Sequence, residues 1–320
     1  MRIISVTRHS SNNLLGVTQG DPPVARPGEV LIDIFGAGVN RADILQRKGS
    51  YLSPPGWPEW PGLECAGIIG ALGEGVRGFK VGDHVCALVG GGAYAEQIAA
   101  PADLVLHVPP TLTLVESAAL MEAACTVWSN FEVASVKAGE TLLIHGGSGG
   151  IGTFAIQLGK ALGLRVIVTA RGAERSTRCL DLGADVAIDH TSDDFVEACQ
   201  DGGGADVILD VVGGAYLERN LAALATGGRL VVIGLQRGAQ AELDLRTLMT
   251  KRASIIGTTL RSRPHSERAA IVAEVGRVVW PLIPAKVRPV IHATVPFDNA
   301  QAAHDLLESG EVFGKIVLVP

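Results

Sequence analysis

Residues 141–152 read TLLIHGGSGGIG, a short apolar run followed by a glycine-rich segment. The apolar run predicts a strand at Thr141–His145, the residues at 151–162 predict a helix, and a G-x-G-x-x-G pattern lies between them. Glycines there permit a tight turn and close approach of backbone N–H groups to a pyrophosphate at the start of a helix. We therefore predict a dinucleotide-binding turn, the alternative being a glycine-rich turn that binds nothing. Its residues are Gly147, Ser148, Gly149, Gly150, Ile151 and Gly152.

The alternation of strand and helix continues beyond this turn. Helix-like segments separate the predicted strands from one another, an order that is typical of a parallel sheet covered by helices on both faces. The fold class predicted for this part of the chain is therefore α/β, with a doubly wound parallel sheet. The further strands are expected at Arg165–Ala170, 206–212, 229–234 and 254–260.

The residues before and after this part of the chain have a different pattern. Residues 1–118 carry short β-like runs at 29–36, 64–70, 84–89 and 104–108, separated by Pro and Gly turn signals. The N-terminal residues 1–13 predict a first strand rather than a secretory signal. The chain returns to this pattern from about residue 285 and ends in a strand at 314–319, which indicates that it re-enters the first domain.

Composition excludes several classes of protein. Apolar residues make up 47% and charged residues 19% of the 320 residues, which is typical of a packed globular chain. The net charge of −6 argues against nucleic acid, and no apolar stretch approaches the length of a membrane span. Five widely spaced cysteines without a C-x-x-C pair predict neither a disulfide framework nor a thiolate metal site. We expect a cytoplasmic protein.

The choice of dinucleotide depends on the end of the second strand. An acidic residue there would bind the ribose 2′-hydroxyl of NAD. The sequence instead has Arg171, followed by Arg175 one helical turn later. Guanidinium groups pair with a 2′-phosphate, so these residues predict NADPH as the cofactor. The alternative is that both arginines are solvated charges at the start of a helix.

Several motifs in one order resemble a known family. They are AGVNRAD at 37–43, GSY at 49–51, PGLE at 61–64, GDHV at 82–85 and the glycine motif. Together they resemble the zeta-crystallin-like quinone oxidoreductases of the medium-chain dehydrogenase/reductase superfamily. LRSR at 260–263 and GKIV at 314–317 look similar to the p53-inducible quinone oxidoreductase branch.

The resemblance implies a GroES-like, mostly-β catalytic domain (1–118 and 285–320) and a Rossmann NADPH-binding domain (119–284), with the nicotinamide held between them. Zinc-dependent relatives have a cysteine and a histidine at positions that look like Asn40 and Leu63 here. Neither side chain replaces those ligands, so we expect no metal. Without a Lewis acid, the acceptor is expected to be electron-poor already.

The resemblance also implies the catalytic residues. Asn40 and Tyr51 correspond to positions that hydrogen-bond the acceptor carbonyl, and Tyr51 is also able to supply a proton. The alternatives are a capping side chain for Asn40 and a turn aromatic for Tyr51.

Further residues are expected at the cofactor. Thr126 corresponds to a position near the nicotinamide amide, with an ordinary helix residue as the alternative. His190 resembles an aromatic near the adenosine phosphate, or it is a surface histidine. The strand end at Leu260, Arg261 and Ser262 is expected to flank the cofactor, the alternative being a solvated basic loop. Lys315 is expected to reach the cofactor from the C-terminal tail, or to be an exposed strand charge.

The function implied is hydride transfer from NADPH to a quinone or a related conjugated carbonyl. Reduction of an enone or enal double bond is an alternative that the sequence does not separate from it. A second alternative is a non-catalytic, crystallin-like protein that binds NADPH. The resemblance also implies a homodimer, paired through the sheet edge formed by residues 230–234 and 255–257.

Overall fold

The computed structural model describes residues 1–8 and 13–320 of the chain. The strands within these residues are β1 (Arg2–Arg8), β2 (Asn13–Gln19), β3 (Glu29–Val39), β4 (Glu64–Leu72), β5 (His84–Leu88), β6 (Gln97–Pro101), β7 (Val105–His107), β8 (Thr141–His145), β9 (Arg165–Ala170), β10 (Val186–Asp189), β11 (Ala205–Asp210), β12 (Leu224–Val232), β13 (Ser254–Gly257), β14 (Ile291–Pro296) and β15 (Lys315–Val319). The α-helices are α1 (Arg41–Arg47), α2 (Leu114–Ser117), α3 (Met121–Val133), α4 (Gly150–Ala161), α5 (Ala173–Asp181), α6 (Phe195–Gln200), α7 (Leu217–Ala223), α8 (Leu245–Lys251), α9 (His265–Glu274) and α10 (Ala300–Ser309).

The chain forms two compact units. The β-rich unit comprises Met1–Cys125, Arg261–Pro284 and Pro289–Pro320, and the α/β unit comprises Thr126–Leu260 and Ala285–Arg288. None of the helices in the described part of the chain is both long and apolar enough to cross a membrane.

The α/β unit contains a six-stranded sheet in the order β10-β9-β8-β11-β12-β13, with every pair parallel. The central strands are buried on both faces, as shown by Leu142, Leu143 and Ile144, each at most 1% exposed. Strands that alternate with helices in this order form a doubly wound sheet, whose ligand crevice lies at the carboxyl ends of the strands. The predicted α/β fold class is therefore confirmed.

The β-rich unit contains a seven-stranded sheet. Its order is β14-β15-β3-β4-β5-β7, with β6 also paired to β3, and β1 and β2 form a separate antiparallel pair. The C-terminal strand β15 lies antiparallel to β3, with Ile316 opposite Val39. This pairing brings the last residues of the chain beside the end of β3, which is a result of tertiary structure and not of sequence proximity.

The unit boundaries differ from the predicted domain limits. The β-rich unit extends to Cys125 rather than 118, and it includes Arg261–Pro284, which the prediction placed in the other domain. The reason lies in side-chain contacts of α9 and the turn after it. His265 contacts Asp103 at 2.8 Å, and Trp280 donates to the carbonyl of His107 at 2.8 Å. A helical pattern alone does not show which unit a helix packs against.

The element limits also differ in detail. The strand predicted at 229–234 begins at Leu224, and the strand predicted at 254–260 ends at Gly257. The first strand is Arg2–Arg8, and residues 9–12 of the segment predicted with it lie outside the described residues. The sequence analysis did not predict helix α1. The start of this helix does carry a signal, since the Asp43 carboxylate accepts the Asn40 backbone N–H at 2.8 Å.

Candidate functional site

The glycine-rich turn joins β8 to α4 in the α/β unit. Gly146 has φ +73°, a conformation that favours glycine. A Cβ on Gly152 would lie 2.2 Å from the Gly146 carbonyl oxygen, and a Cβ on Gly147 would lie 2.8 Å from Val168. Packing within the turn and against β9 therefore accounts for these two glycines.

Gly149 is different, because the fold itself does not require a glycine there. Its φ of −79° and ψ of 172° suit any residue, and its Cβ would have only an ordinary contact, at 3.5 Å from the Gly146 oxygen. Gly149 caps the N-terminus of the twelve-residue helix α4, where backbone N–H groups and the helix dipole favour an anion. The missing side chain keeps the approach to that helix end open for a ligand.

A buried histidine fixes the strand that leads into the turn. His145 is 1% exposed, and its Nε2 donates to Asn220 Oδ1 at 2.7 Å. Its Nδ1 therefore accepts from the Thr169 hydroxyl at 3.0 Å, which ties β8 to β9. Burial lowers the pKa of His145 to about 4, so the imidazole is neutral at pH 7. The turn is thus anchored by a neutral hydrogen-bond network.

The two predicted phosphate-binding arginines follow β9. Arg171 is exposed, Arg175 is half-buried, and Arg175 Nη1 donates to the Arg171 carbonyl at 3.3 Å. A carboxylate that the sequence interpretation did not consider adjoins them, because Asp189 Oδ1 accepts from the Gly172 N–H at 3.0 Å. The same oxygen accepts from the backbone and hydroxyl of Thr191, and these bonds hold the pKa of Asp189 below its usual range.

The other predicted cofactor residues have modest local roles. The Thr126 carbonyl accepts from the side chains of Ser129 and Asn130, within α3. The His190 N–H donates to the Ala170 carbonyl at 3.1 Å, and its imidazole is half-buried. Leu260, the last residue of its segment of the α/β unit, is half-buried, and Ser262 is exposed in the β-rich unit.

Lys315 lies in the β-rich unit in contact with Asn40 and Glu64. Its Nζ donates to Asn40 Oδ1 and to Glu64 Oε1, each at 2.6 Å. Lys315 is 5% exposed and Glu64 is fully buried, which excludes the alternative of an exposed strand charge. Asn40 Nδ2 donates to Glu64 Oε1 at 3.0 Å and to the Gly38 carbonyl at 3.3 Å, so its amide is engaged on both sides.

Two further carboxyl groups in this unit have raised pKa values. Burial raises the pKa of Asp43 to about 6, although the N–H groups of Asn40 and Gly62 donate to its carboxylate, each at 2.8 Å. Burial, together with the nearby Glu64 charge, raises the pKa of Glu122 to about 8. A group with a pKa near 8 is mainly protonated at pH 7, so Glu122 is able to donate a proton there.

Arg261 is also found in the β-rich unit, and it is 6% exposed rather than a solvated loop charge. Its Nε donates to the Gly90 carbonyl at 2.6 Å, and its Nη2 donates to Gln46 Oε1 at 2.8 Å and Ser53 Oγ at 2.9 Å. Its Nη1 donates to the Tyr51 carbonyl at 3.2 Å, and the guanidinium lies 4.9 Å from the Tyr51 ring centroid. Arg261 therefore holds the segment that carries Tyr51.

Tyr51 itself is half-buried, and burial raises the pKa of its hydroxyl. It therefore stays protonated and able to donate a hydrogen bond at neutral pH. Glu122 raises this pKa further, which indicates that the carboxyl lies close enough to interact with the phenol. The sequence interpretation missed Glu122 because a single glutamate at the start of an apolar helix has no distinguishing pattern.

Comparisons with known proteins agree with both units. Residues 26–110 match the family described as "Alcohol dehydrogenase GroES-like domain", and residues 150–275 match "Zinc-binding dehydrogenase". The quinone oxidoreductase of Sus scrofa is 35% identical over 308 residues, which cover 93% of this chain and 91% of that protein. The chain belongs to the quinone oxidoreductase-like family of the medium-chain dehydrogenase/reductase superfamily. It is thus a member of a family of oxidoreductases.

Solved structures of this family are similar over the full length. The quinone oxidoreductase of Thermus thermophilus, solved alone and with NADPH, has a TM-score of 0.87 at 31% identity. The Escherichia coli quinone oxidoreductase in complex with NADPH has a TM-score of 0.86 at 29% identity. In both comparisons the match covers 100% of this chain and 100% of the other, so the GroES-like and Rossmann assignments are confirmed.

One matched family description implies zinc, and the donor set here does not fit that metal. Among residues 1–8 and 13–320, no group of three or more His, Cys, Asp or Glu side chains is placed to hold a metal ion. The buried Glu64 carboxylate is bonded to Lys315, whose ammonium group has no lone pair to offer a metal.

Proposed function

We propose that this protein is a zinc-independent, NADPH-dependent reductase that transfers a hydride to a quinone. The observation that carries the proposal is the strand–turn–helix unit from β8 to α4, with an open helix N-terminus at Gly149 and two arginines after β9. The NADPH complexes of two relatives support this choice of cofactor. When bound, NADPH supplies the hydride, and the protein supplies binding and orientation.

In this proposal the turn residues Gly147 to Gly152 bind the pyrophosphate, and Arg171 and Arg175 bind the 2′-phosphate. The Asp189 oxygen nearest to this segment accepts three hydrogen bonds, which offsets its negative charge. Thr126, His190, Leu260 and Ser262 are assigned to the remaining parts of the cofactor. Arg261 and Lys315 are assigned to positioning the acceptor side, because their contacts lie within the β-rich unit.

We assign Tyr51 and Asn40 to the acceptor carbonyl. Tyr51 has a neutral hydroxyl that is able to donate a hydrogen bond. Asn40 Nδ2 becomes available if it exchanges its longer bond, the one of 3.3 Å to the Gly38 carbonyl, for the acceptor oxygen. A quinone fits a site without a Lewis acid, because its ring carbons are electron-poor before any polarisation.

The cofactor assignment is tested by an Arg171→Asp/Arg175→Ala variant. We expect it to lose about 100-fold in kcat/KM with NADPH relative to NADH, since two charge-assisted contacts to the 2′-phosphate are removed and a repulsive charge is added. The matched control is Arg178→Ala, which removes an exposed charge from the same helix. Equal use of both coenzymes by the unsubstituted protein contradicts the assignment.

The acceptor is tested by turnover of a naphthoquinone, an ortho-quinone and a small enone with NADPH. Faster turnover of the quinones supports the proposal, whereas preference for the enone indicates a double-bond reductase. Tight NADPH binding without oxidation by any acceptor indicates a non-catalytic NADPH-binding protein. Initial rates at saturating NADPH separate these outcomes.

We also propose a homodimer that pairs through the edge of the six-stranded sheet. The edge strand is β13, and β12 is the next strand inward. Of the two predicted segments, residues 255–257 therefore lie at the edge and residues 230–234 do not. Ile255 on β13 is 37% exposed, and Leu245 and Met249 on α8 are 61% and 75% exposed. An Ile255→Lys variant is expected to give a monomer by light scattering, and an unchanged mass contradicts this interface.

Two finer assignments complete the proposal. The segments at 260–263 and 314–317 support membership of the p53-inducible branch, which a phylogenetic placement tests. The cysteines are free and buried, which supports a reducing compartment such as the cytoplasm, and microscopy of a tagged protein tests that location.

A further inference from the structure

Lys315 is a buried lysine of the β-rich unit. It begins β15, and the antiparallel pairing of β15 with β3 places it beside the end of β3. Burying an ammonium group is costly unless it is paired. Here it is paired on two sides, with the Glu64 carboxylate and the Asn40 amide oxygen.

These contacts fix the orientation of the Asn40 amide. An ammonium group only donates hydrogen bonds, so the atom of Asn40 that faces Lys315 must be the oxygen. The Asn40 nitrogen then points to Glu64 Oε1 at 3.0 Å and to the Gly38 carbonyl at 3.3 Å. Rotation of the amide by 180° would place N–H groups against the ammonium, so Lys315 selects one of the two orientations.

The backbone makes room for the carboxylate that completes this arrangement. A Cβ on Gly38 would lie 2.3 Å from Glu64 Oε1 and 2.7 Å from the Ala118 carbonyl oxygen, so only glycine fits there. The other Glu64 oxygen accepts the Glu122 backbone N–H at 3.0 Å. Both oxygens of the buried Glu64 carboxylate therefore accept hydrogen bonds, and Oε1 accepts one from the Lys315 ammonium group.

The positive charge of Lys315 offsets the negative charges of the acidic groups around Glu64. The charges of Lys315 and Arg261 both act to lower the pKa values of Asp43 and Glu122, so removing Lys315 takes away one of these two stabilising charges. Burial also keeps the neighbouring thiols and the Tyr94 phenol neutral, because it raises their pKa values. The groups concerned are Asp43, Glu122, Cys65, Cys86, Cys125 and Tyr94.

We propose that Lys315 is a positioning residue for the acceptor site, where its ammonium neutralises Glu64 and orients the Asn40 amide in place of a metal ion. This inference rests on the proposed function, because it gives Asn40 a role at the acceptor carbonyl. Lys315 acts through Asn40 and Glu64, and it needs no contact with the acceptor.

Three variants test this role. Lys315→Met removes the charge but keeps the length of the side chain, Lys315→Arg keeps the charge, and Lys315→Met/Glu64→Gln removes both charges. With NADPH and 1,4-naphthoquinone at pH 8, we expect Lys315→Met to lose about 100-fold in kcat/KM, the size of effect that a misplaced positioning group produces. NADPH affinity, measured by fluorescence, is expected to stay within about twofold, and Lys315→Arg is expected to retain more activity than Lys315→Met.

The pH profile separates positioning from simple loss of structure. Without Lys315, Glu64 is a buried carboxylate with no ammonium partner, which disfavours its charged form relative to the neutral, protonated form. The kcat/KM of Lys315→Met should therefore increase as the pH falls from 9 to 6. The double variant should lose this dependence, since the glutamine side chain at residue 64 has no ionisable group. Adding Glu122→Gln to both backgrounds keeps Glu122 from producing the same profile.

A surface ion pair provides the matched control. Lys160 pairs with Asp185 at 2.8 Å, with both side chains more than one-third exposed, so Lys160→Met should leave the rate and its pH profile unchanged. An unaltered profile in Lys315→Met, or the same pH-dependent loss in the double variant, overturns the proposal. No NADPH oxidation by the unsubstituted protein with any quinone is a different result, because it contradicts the proposed function itself.

Discussion

The glycine-rich turn of the α/β unit and the Lys315–Glu64–Asn40 network of the β-rich unit are built in opposite ways. The turn uses backbone N–H groups, a helix end and glycines within a dozen consecutive residues, and the adjoining His145 is neutral at pH 7. The network uses buried charged side chains, and Lys315 and Asn40 are 275 positions apart. A backbone site is therefore sensitive to added volume, whereas a side-chain network is sensitive to changes of charge.

The largest effect is expected from Gly152→Ala. Its Cβ would lie 2.2 Å from a backbone oxygen in the same turn, so the turn must move. We expect a loss of about 3 kcal/mol in the free energy of unfolding, in the range of overpacked sites, and no measurable NADPH binding. Urea denaturation and a fluorescence titration measure both. The control is Gly16→Ala, whose nearest contact would be 3.9 Å away, and full binding by Gly152→Ala would contradict the described turn.

A change of charge in the other unit comes next. Arg261→Met removes four hydrogen bonds, to Gly90, Gln46, Ser53 and Tyr51, and releases the segment that carries Tyr51. We expect a loss of about 2 kcal/mol in unfolding free energy, since buried acceptors are left without donors, together with a higher KM for the quinone. Arg277→Met, at a side chain that is 68% exposed, is the control and should change stability by less than about 0.5 kcal/mol. Equal stability of the two variants would contradict the role of Arg261 in holding the segment that carries Tyr51.

The Gly149→Ala variant separates an effect on the stability of the fold from an effect on NADPH binding. The added Cβ has only an ordinary contact in the free protein, so the melting temperature should barely change. NADPH affinity should fall about tenfold, because the Cβ occupies space that the pyrophosphate needs at the helix N-terminus. Isothermal titration calorimetry measures the NADPH affinity, and differential scanning calorimetry measures the melting temperature. Unchanged affinity would show that the ligand does not approach this residue.

The last prediction concerns a slope, namely how stability depends on pH. The pKa of Glu122 is raised in the folded state to about 8 from an ordinary 4.5, so the folded state binds this proton more tightly than the unfolded state. The free energy of unfolding should therefore decrease as the pH rises from about 5 to 8. Glu122→Gln should flatten this decrease, while a part below about pH 6 remains from Asp43. Denaturant titrations at several pH values check this, and equal slopes would contradict it.

Local patterns predicted the fold and the turn well for a physical reason. Strand, turn and helix around residues 141–152 depend on periodicity and on glycine geometry, which neighbouring residues determine. Strand limits were less accurate, as at Leu224 and Gly257, because strands end where pairing stops. The segment at 261–284 was assigned to the other domain, since its helix carries no local sign of the surface that it packs against.

The candidate site also has one part that adjacent residues encode and another part that depends on contacts between distant residues. Local sequence was enough to predict an α/β sheet with a glycine-rich helix start, followed by two arginines rather than a carboxylate, because each feature is encoded by adjacent residues. Three features became visible in the folded chain alone: Lys315 pairs with Glu64 and Asn40, Arg261 holds the segment that carries Tyr51, and Glu122 has a raised pKa. Those properties depend on burial and on strand pairing between distant parts of the chain, which no local pattern specifies.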